Sequence, residues 1–315
     1  MSEQNNNWER GVLEKLAMSA IQEQRRARHW SIFFKVLTFG YLFIILLLFM
    51  GWMGNKTEVA LGSKHTALVD MYGVITADSP AGANNIMSSL QGAFKDKSTQ
   101  GVILRVNSPG GSPVQAGYIN DEIRRLRAQY PAIPLYVVVE DICASGGYYV
   151  AAAADKIFVN KASLVGSIGV LMDGFGFTGT MEKLGVERRL VTAGENKGFM
   201  DPFSPVNVEQ KEHAKKMLAE IHQQFVEVVR QGRGKRLKES SDTFSGLIWT
   251  GQASIEMGLS DAIGSVESVA RDIIKVENIV DFTNRESFAE RLAKRFGAGV
   301  ASSLGFSAQN NLLLH

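Results

Sequence analysis

An α/β domain with a mainly parallel sheet, preceded by one membrane-spanning helix, is the architecture this 315-residue sequence predicts. Two observations carry it. From Val36 to Trp52 the chain holds no charged residue, a run apolar enough to cross a bilayer. Beyond it, short β-branched runs alternate with longer helical patterns, as in chains whose parallel strands are joined through helices. The length suits one large domain or two small ones.

The elements follow in chain order. Residues 1–29 hold four acids and five bases. Trp8, Val12, Leu16 and Ala20 recur there at i, i+4 spacing, which fits either a helix lying on the inner membrane surface or a short soluble helix. The span comes next, at 30–53. Extended back to Ser31, the apolar run makes a helix of about 33 Å, enough for the hydrocarbon core. Lys35 can snorkel its amine to the headgroups, and Trp30 and Trp52 bracket the run as interfacial aromatics. Arg25, Arg26, Arg28 and Lys35 precede it, while Lys56 and Lys64, offset by Glu58, follow. That asymmetry puts the N-terminus in the cytoplasm and the rest outside. A cleaved signal peptide ending near Ala60 is the rival reading, but its apolar core would be shorter, about 7–15 residues.

Residues 54–64 read as a polar linker and 65–280 as the folded domain. Strands are expected at 67–75, 101–106, 135–139 and 156–159, and a further one at Arg189-Leu190-Val191-Thr192. The run at 135–139 is apolar nearly throughout, as in a strand covered on both faces. Helices are expected from Pro113 to Gln129, after Ser145, and from Val208 to Arg230. Asn207 is the N-cap of the last, with Gln210 at the capping-box position. The tail, 281–315, sets Phe288, Leu292 and Phe296 opposite Arg291, Lys294 and Arg295, the pattern of a basic amphipathic helix.

Composition narrows the chemistry. A net charge of +2 argues against nucleic acid as the main partner. The single cysteine, Cys143, rules out a disulfide framework and any multi-thiolate metal site, and no His-Glu-x-x-His or other ligand cluster suggests a metal. Gly174 to Gly179 satisfies G-x-G-x-x-G but falls mid-domain, with Glu195 a poor match for the ribose-binding acid, so a turn is the better reading.

Two loops that leave predicted strands carry the chemistry. In Asn107-Ser108-Pro109-Gly110-Gly111-Ser112-Pro113, glycines at a strand end expose backbone amides that could face a developing oxyanion, or simply make a tight turn into the next helix. In Cys143-Ala144-Ser145-Gly146-Gly147-Tyr148, a serine sits between strand and helix. It resembles a nucleophile elbow without the first glycine of G-x-S-x-G, and an ordinary N-cap is the alternative.

A serine nucleophile needs a base. His29, His65, His213, His222 and His315 lie in no glycine-rich or acidic motif, which gives a Ser-His-Asp triad little support. A lysine can serve if its pKa falls from about 10.4 to about 7.5, a shift of roughly 4 kcal/mol that calls for a buried site. Composition does not say which lysine. Lys197 is attractive because apolar residues flank it behind the strand expected at Arg189-Leu190-Val191-Thr192.

Four separated motifs, in order, decide between these readings. Asn107-Ser-Pro-Gly-Gly111, Ala144-Ser145-Gly-Gly-Tyr148, Val165-Gly-Ser167-Ile-Gly169 and Gly194-Glu-Asn-Lys197 with Asp201-Pro202-Phe203 resemble the short bacterial signal peptide peptidases, serine peptidases of family S49. The likeness runs from about His65 to Lys275. It implies that Ser145 is the nucleophile, Lys197 the general base and Ser167 the hydroxyl that holds the lysine. The amides of Gly111 and Gly146 would form the oxyanion hole. It further implies a crotonase-like, Clp-protease-like spiral of ββα units and a homo-oligomeric ring whose sites draw on neighbouring subunits. The domain would stand on the periplasmic side of the inner membrane, degrading signal peptides and other short unfolded peptides without a cofactor. The competing classes are a crotonase-type acyl-CoA enzyme, which the Ser145 and Lys197 pair and the anchor weigh against, and a non-catalytic scaffold, which should have lost one of the two.

Overall fold

The computed structural model describes residues 2–54 and 63–285. Most of the linker and the helix expected after Asp281 lie outside the described residues, as do the side chains of Trp8, Val12, Leu16, Ala20 and Trp52. The chain divides into two units, 1–61 and 62–315.

The described residues of the first unit form one helix, α1 (Ser2–Gly54). It runs unbroken through the boundary expected at residue 29. Within it, Glu23–Leu46 is long and apolar enough to cross a membrane. Val36 and Phe39 on it stand 67% and 73% exposed. Trp30 packs against Phe33 and Phe34, with ring centroids 5.8 Å apart in both pairs.

The second unit is built on β1 (His65–Tyr72), α2 (Ala83–Lys95), β2 (Thr99–Ser108), α3 (Pro113–Gln129) and β3 (Leu135–Ala144). There follow α4 (Gly146–Ala151), β4 (Lys156–Val159), β5 (Leu164–Gly166), α5 (Thr178–Lys183) and α6 (Val208–Arg233). Next come β6 (Ile248–Thr250), α7 (Gly251–Glu256) and β7 (Ala262–Ile263), then α8 (Val266–Ser268), which continues as a π-type turn to Ile274, and β8 (Ile279–Asp281). The sheet runs β6-β5-β3-β2-β1-β8, and every pairing is parallel except β5 with β6. Strand β3 forks, pairing β4 through Tyr136–Val138 and β5 through Ile142–Ala144. That fork turns the second half of β3, and the loop behind it, toward the β5–β6 edge.

Alternation sorts the central strands into two faces. Val69, Met71, Leu104, Val106, Val137 and Val139 pack with Ile86, Leu90 and Phe94 of α2, Ile119 and Ile123 of α3, and Tyr148 of α4. On the other face Leu68, Ile103, Val138 and Phe158 lie under Val266, Val269 and Ala270. Both faces are covered, which is why these strands read as nearly continuous apolar runs. Farther along the second face the ladder turns polar, with Arg105 making two hydrogen bonds to Asp70 at 2.7 and 2.8 Å.

The expectations for β1, β2, β3, β4, α3 and α6 are met to within a few residues. The strand expected at Arg189-Leu190-Val191-Thr192 does not form: residues 184–207 contain no regular element. A β-prone run needs a partner strand to satisfy its amides, and no strand edge pairs with this one in the single chain. The capping box on α6 is half made. Asn207 accepts from the Gln210 amide, whereas the Gln210 side chain turns away to Met200 and Asn196.

Candidate active site

Ser145 closes β3 and opens α4 with φ +51° and ψ −124°, a conformation uncommon for any residue but glycine. What holds it there is local. Its amide donates to the Gly166 carbonyl of β5 at 2.9 Å, and its own carbonyl accepts from Tyr149 at 3.0 Å. Buried Cys143, Ala144, Gly146 and Tyr148 wall it on both sides along the chain. The strained turn of an elbow is therefore present although Cys143 stands where a glycine is usual. Burial pushes the Cys143 thiol above its ordinary pKa, so it stays protonated at neutral pH and is no rival nucleophile. Burial likewise raises the Tyr148 phenol, whose hydroxyl donates to the Leu259 carbonyl at 2.7 Å.

The glycine loop behind β2 comes directly against this turn. A Cβ at Gly110 would lie 2.7 Å from the Ser145 Cβ and 2.8 Å from the Gly146 nitrogen, and at Gly111 2.2 Å from the Ile75 carbonyl oxygen, so neither position accepts a side chain. Ile75 N donates to Gly110 O and Ser112 N to Ile75 O, both at 2.8 Å. These bonds bypass the Gly111 amide. A Cβ at Gly146 would lie 3.3 Å from the Gly111 nitrogen, so the two glycines sit side by side next to Ser145. Buried Ser108 accepts from the Gly110 amide at 3.2 Å and steadies the loop.

Ser167 is brought in by β5. It too has positive φ, +51°, and its amide donates to Leu247 O at 2.7 Å. Gly111, Ser145, Gly146 and Ser167 together line a cavity of about 460 Å³ that also takes in Ala116, Tyr149, Leu171, Ile221 and Phe225. Its lining combines the hydroxyls of Ser145, Ser167 and Ser245 with apolar side chains, in a cleft of a size for one or two substrate side chains. A second cavity, of about 440 Å³, is lined by Asp70, Arg105 and Arg285, whose charges are already paired with one another.

Lys197 is the expected residue that the isolated chain leaves apart. It lies exposed in the turns that follow Gly194, its amide donating to Gly194 O at 3.1 Å, and it is not among the residues that line the Ser145 cavity. The burial its expected role calls for is absent in the single chain. Of the histidines, His65 is buried against Thr99, and His213 packs on Phe199. Among the described histidines of this unit, only His222 adjoins the site, through a 3.2 Å contact from Nε2 to Ile168 O. Sequence reading placed His222 on α6 without seeing that contact, because it joins residues 54 apart.

Comparison with known proteins bears on the same stretch. The model of peptidase family S49 matches residues 127–280, which takes in Ser145, Ser167 and Lys197 and leaves out Gly111. Over 216 residues the chain is 40% identical to the Na(+)/H(+) antiporter NhaA of Brucella melitensis, covering 69% of this chain but only 29% of that protein. It is 33% identical to the "Putative signal peptide peptidase SppA" of Enterococcus faecium, across 63% of this chain and 57% of that one. With the "Putative protease MJ0651" of Methanocaldococcus jannaschii it shares 34% identity across 70% and 69%. The chain thus spans less than a third of the antiporter it matches and somewhat over half of the Enterococcus protein.

Proposed function

Because the chain belongs to peptidase family S49, we propose that it is a membrane-anchored serine endopeptidase working through a Ser145–Lys197 dyad. The observation that carries this reading is the Ser145 turn itself, a strained serine against which Gly111 and Gly146 bring their amides. In the reaction Ser145 Oγ attacks a peptide carbonyl while its proton passes to a neutral lysine amine. The two amides take up the charge that develops on the carbonyl oxygen, and the lysine returns the proton to the leaving amine. Ser167 orients the amine.

Exposure of Lys197 fits this reading only if a neighbouring subunit completes the site. The segment around it supports such an assembly. Phe175, Leu184 and Val191 are 80%, 72% and 93% exposed, apolar side chains that a neighbouring subunit could cover. A homo-oligomeric ring of crotonase-like subunits would cover it and bury the lysine. Substrates would be signal peptides and other short unfolded chains, consistent with the apolar walls of the cavity. The Glu23–Leu46 stretch supports anchoring, and Arg25, Arg26 and Arg28 at its N-terminal end, ahead of the uncharged run from Val36, support an N-terminus in the cytoplasm with the catalytic domain on the far side of the inner membrane. Antiport is not carried over from the Brucella relative. The described residues hold one helix that could span a membrane, whereas transporters assemble many around a midplane site.

The test is covalent labelling of the full-length protein in detergent with a serine-directed peptidyl phosphonate, followed by mapping of the adduct. Modification of Ser145, lost in Ser145→Ala, is the expected result. Labelling elsewhere, or hydrolysis that survives Ser145→Ala, overturns the reading.

A further inference from the structure

Four described residues other than glycine have positive φ: Ser145, Ser167, Met200 and Lys275. The first two are proposed site residues, and Met200 lies three residues beyond Lys197. Such conformations are strained and persist only where the surroundings hold them. Two of these three strained turns are held by side chains of one helix, α6.

At its first turn, Gln210 reaches back to the lysine loop from both sides of Lys197. Gln210 Oε1 accepts from the Met200 amide at 3.1 Å, and Nε2 donates to Asn196 Oδ1 at 3.3 Å. Twelve residues on, His222 Nε2 lies 3.2 Å from the carbonyl of Ile168, the residue after Ser167. That carbonyl accepts only if Nε2 carries the proton, which fixes the tautomer. Neither side chain is among those lining the Ser145 cavity, so neither is placed to touch substrate.

We propose that Gln210 and His222 are positioning residues that make α6 a two-point clamp, one end setting the loop that carries Lys197 and the other setting the turn that carries Ser167. This rests on the Ser–Lys reading above and adds to it what fixes the two partners of the serine. A base and its orienting hydroxyl must be set to within a fraction of an ångström. Freeing either turn therefore lowers the chemical step more than the binding of substrate.

The test uses full-length protein in detergent, a fluorogenic peptide, and separate measurement of kcat and KM. Gln210→Ala and His222→Ala are each expected to lower kcat on the order of tenfold to a hundredfold, with KM changed by about twofold or less. Conservative variants should restore the rate. His222→Gln keeps a donor at the Nε2 position. Gln210→Glu keeps the acceptor for Met200 and can take a hydrogen bond from a flipped Asn196 amide, but its charge beside the lysine loop opposes a neutral amine, so it is assayed at raised pH. Alanine variants with wild-type kcat overturn the clamp, as do conservative variants whose kcat stays more than about tenfold below wild type under those conditions. Should an alanine variant fail to fold or assemble, the conservative pair decides on the same scale: kcat within about tenfold of wild type supports the clamp and a larger loss refutes it. Ser145→Ala runs alongside. If it stays active the dyad itself is wrong, whereas an inactive Ser145→Ala beside unaffected clamp variants removes the clamp alone.

Discussion

Around Ser145 the chain is sheet and packed helix, with Cys143, Ala144, Gly146 and Tyr148 shut from solvent. Between Leu171 and Val208 it is turns and the six-residue α5, with Phe175, Leu184, Val191 and Val206 largely exposed. The contrast separates two ways of building the halves of the proposed site. The serine turn is complete within one chain, because β5, the Gly110 loop and α4 all close on it. The lysine arm is tied to its own helix, but none of the described residues buries Lys197. The proposed base needs desolvation, and a second copy would supply it. On this reading the serine is prebuilt and the lysine is switched on by assembly, which would keep an unassembled chain from hydrolysing peptides.

The largest expected effect sits on the lysine side. Lys197→Arg keeps the charge and the length but cannot give up its proton, so hydrolysis should drop by about 10²–10⁴-fold in protein shown to be folded and oligomeric. Phosphonate labelling of Ser145 should slow with it. Near-normal hydrolysis would exclude Lys197 as base.

A smaller effect is expected from the arm's surface. Val191→Asp places a charge where a neighbour should lie, and sedimentation should show smaller assemblies with activity down about tenfold, in line with the cost of burying an unpaired charge. The urea midpoint of the dissociated chain should match that of wild type diluted until it too is dissociated, since Val191 is 93% exposed among the described residues. An intact ring with full activity would mean that the arm is not an interface, and the two regions would no longer differ as proposed.

The two regions also differ in how far sequence could read them. Strands β1 to β4 were legible because burial on both faces leaves apolar, β-branched runs that only a central strand explains. Gly110 and Gly111 were legible for a similar reason, since a backbone that packs against Ile75 and Ser145 tolerates no Cβ. The strand expected at Arg189-Leu190-Val191-Thr192 failed because its residues suit pairing while the single chain offers no edge there. Apolar residues beside Lys197 suggested burial, but the pattern cannot distinguish a core from a surface awaiting a partner. Gln210 matched a capping box and instead spends its side chain on Met200 and Asn196, contacts between segments that no local motif reports.

The smallest effect lies on the serine side and concerns stability alone. Arg233, 1% exposed near the end of α6, donates to Asp261 Oδ2 at 2.9 Å, and the same oxygen accepts from the Ile157 amide of β4 at 2.7 Å. Arg236 reaches Oδ1 at 3.0 Å. Two residues before Asp261, Leu259 accepts the Tyr148 hydroxyl, so this network backs the helix that begins at Ser145. Burial pushes the Asp261 carboxyl up, but the hydrogen bond and charge of Arg233, with help from Ile157 and Arg236, outweigh it and hold the group below the ordinary carboxylate range. A carboxylate whose pKa is depressed by folding contributes stability that is fully present above its unfolded value, about 4. That contribution is lost as pH falls through the folded value. Asp261→Asn removes the charge, turns an N–H toward one of its donors and leaves Arg233 buried without a counter-ion. It should therefore cost about 3 kcal/mol at pH 7 by urea unfolding. The gap from wild type should narrow below about pH 4, where the wild-type carboxylate also loses its charge. An equal gap at pH 7 and pH 3 would show that Asp261 acts through shape rather than charge. Assembly should be unaffected in the folded variant, because nothing in this network faces the arm, and loss of the ring would mean that the two regions are coupled through α6.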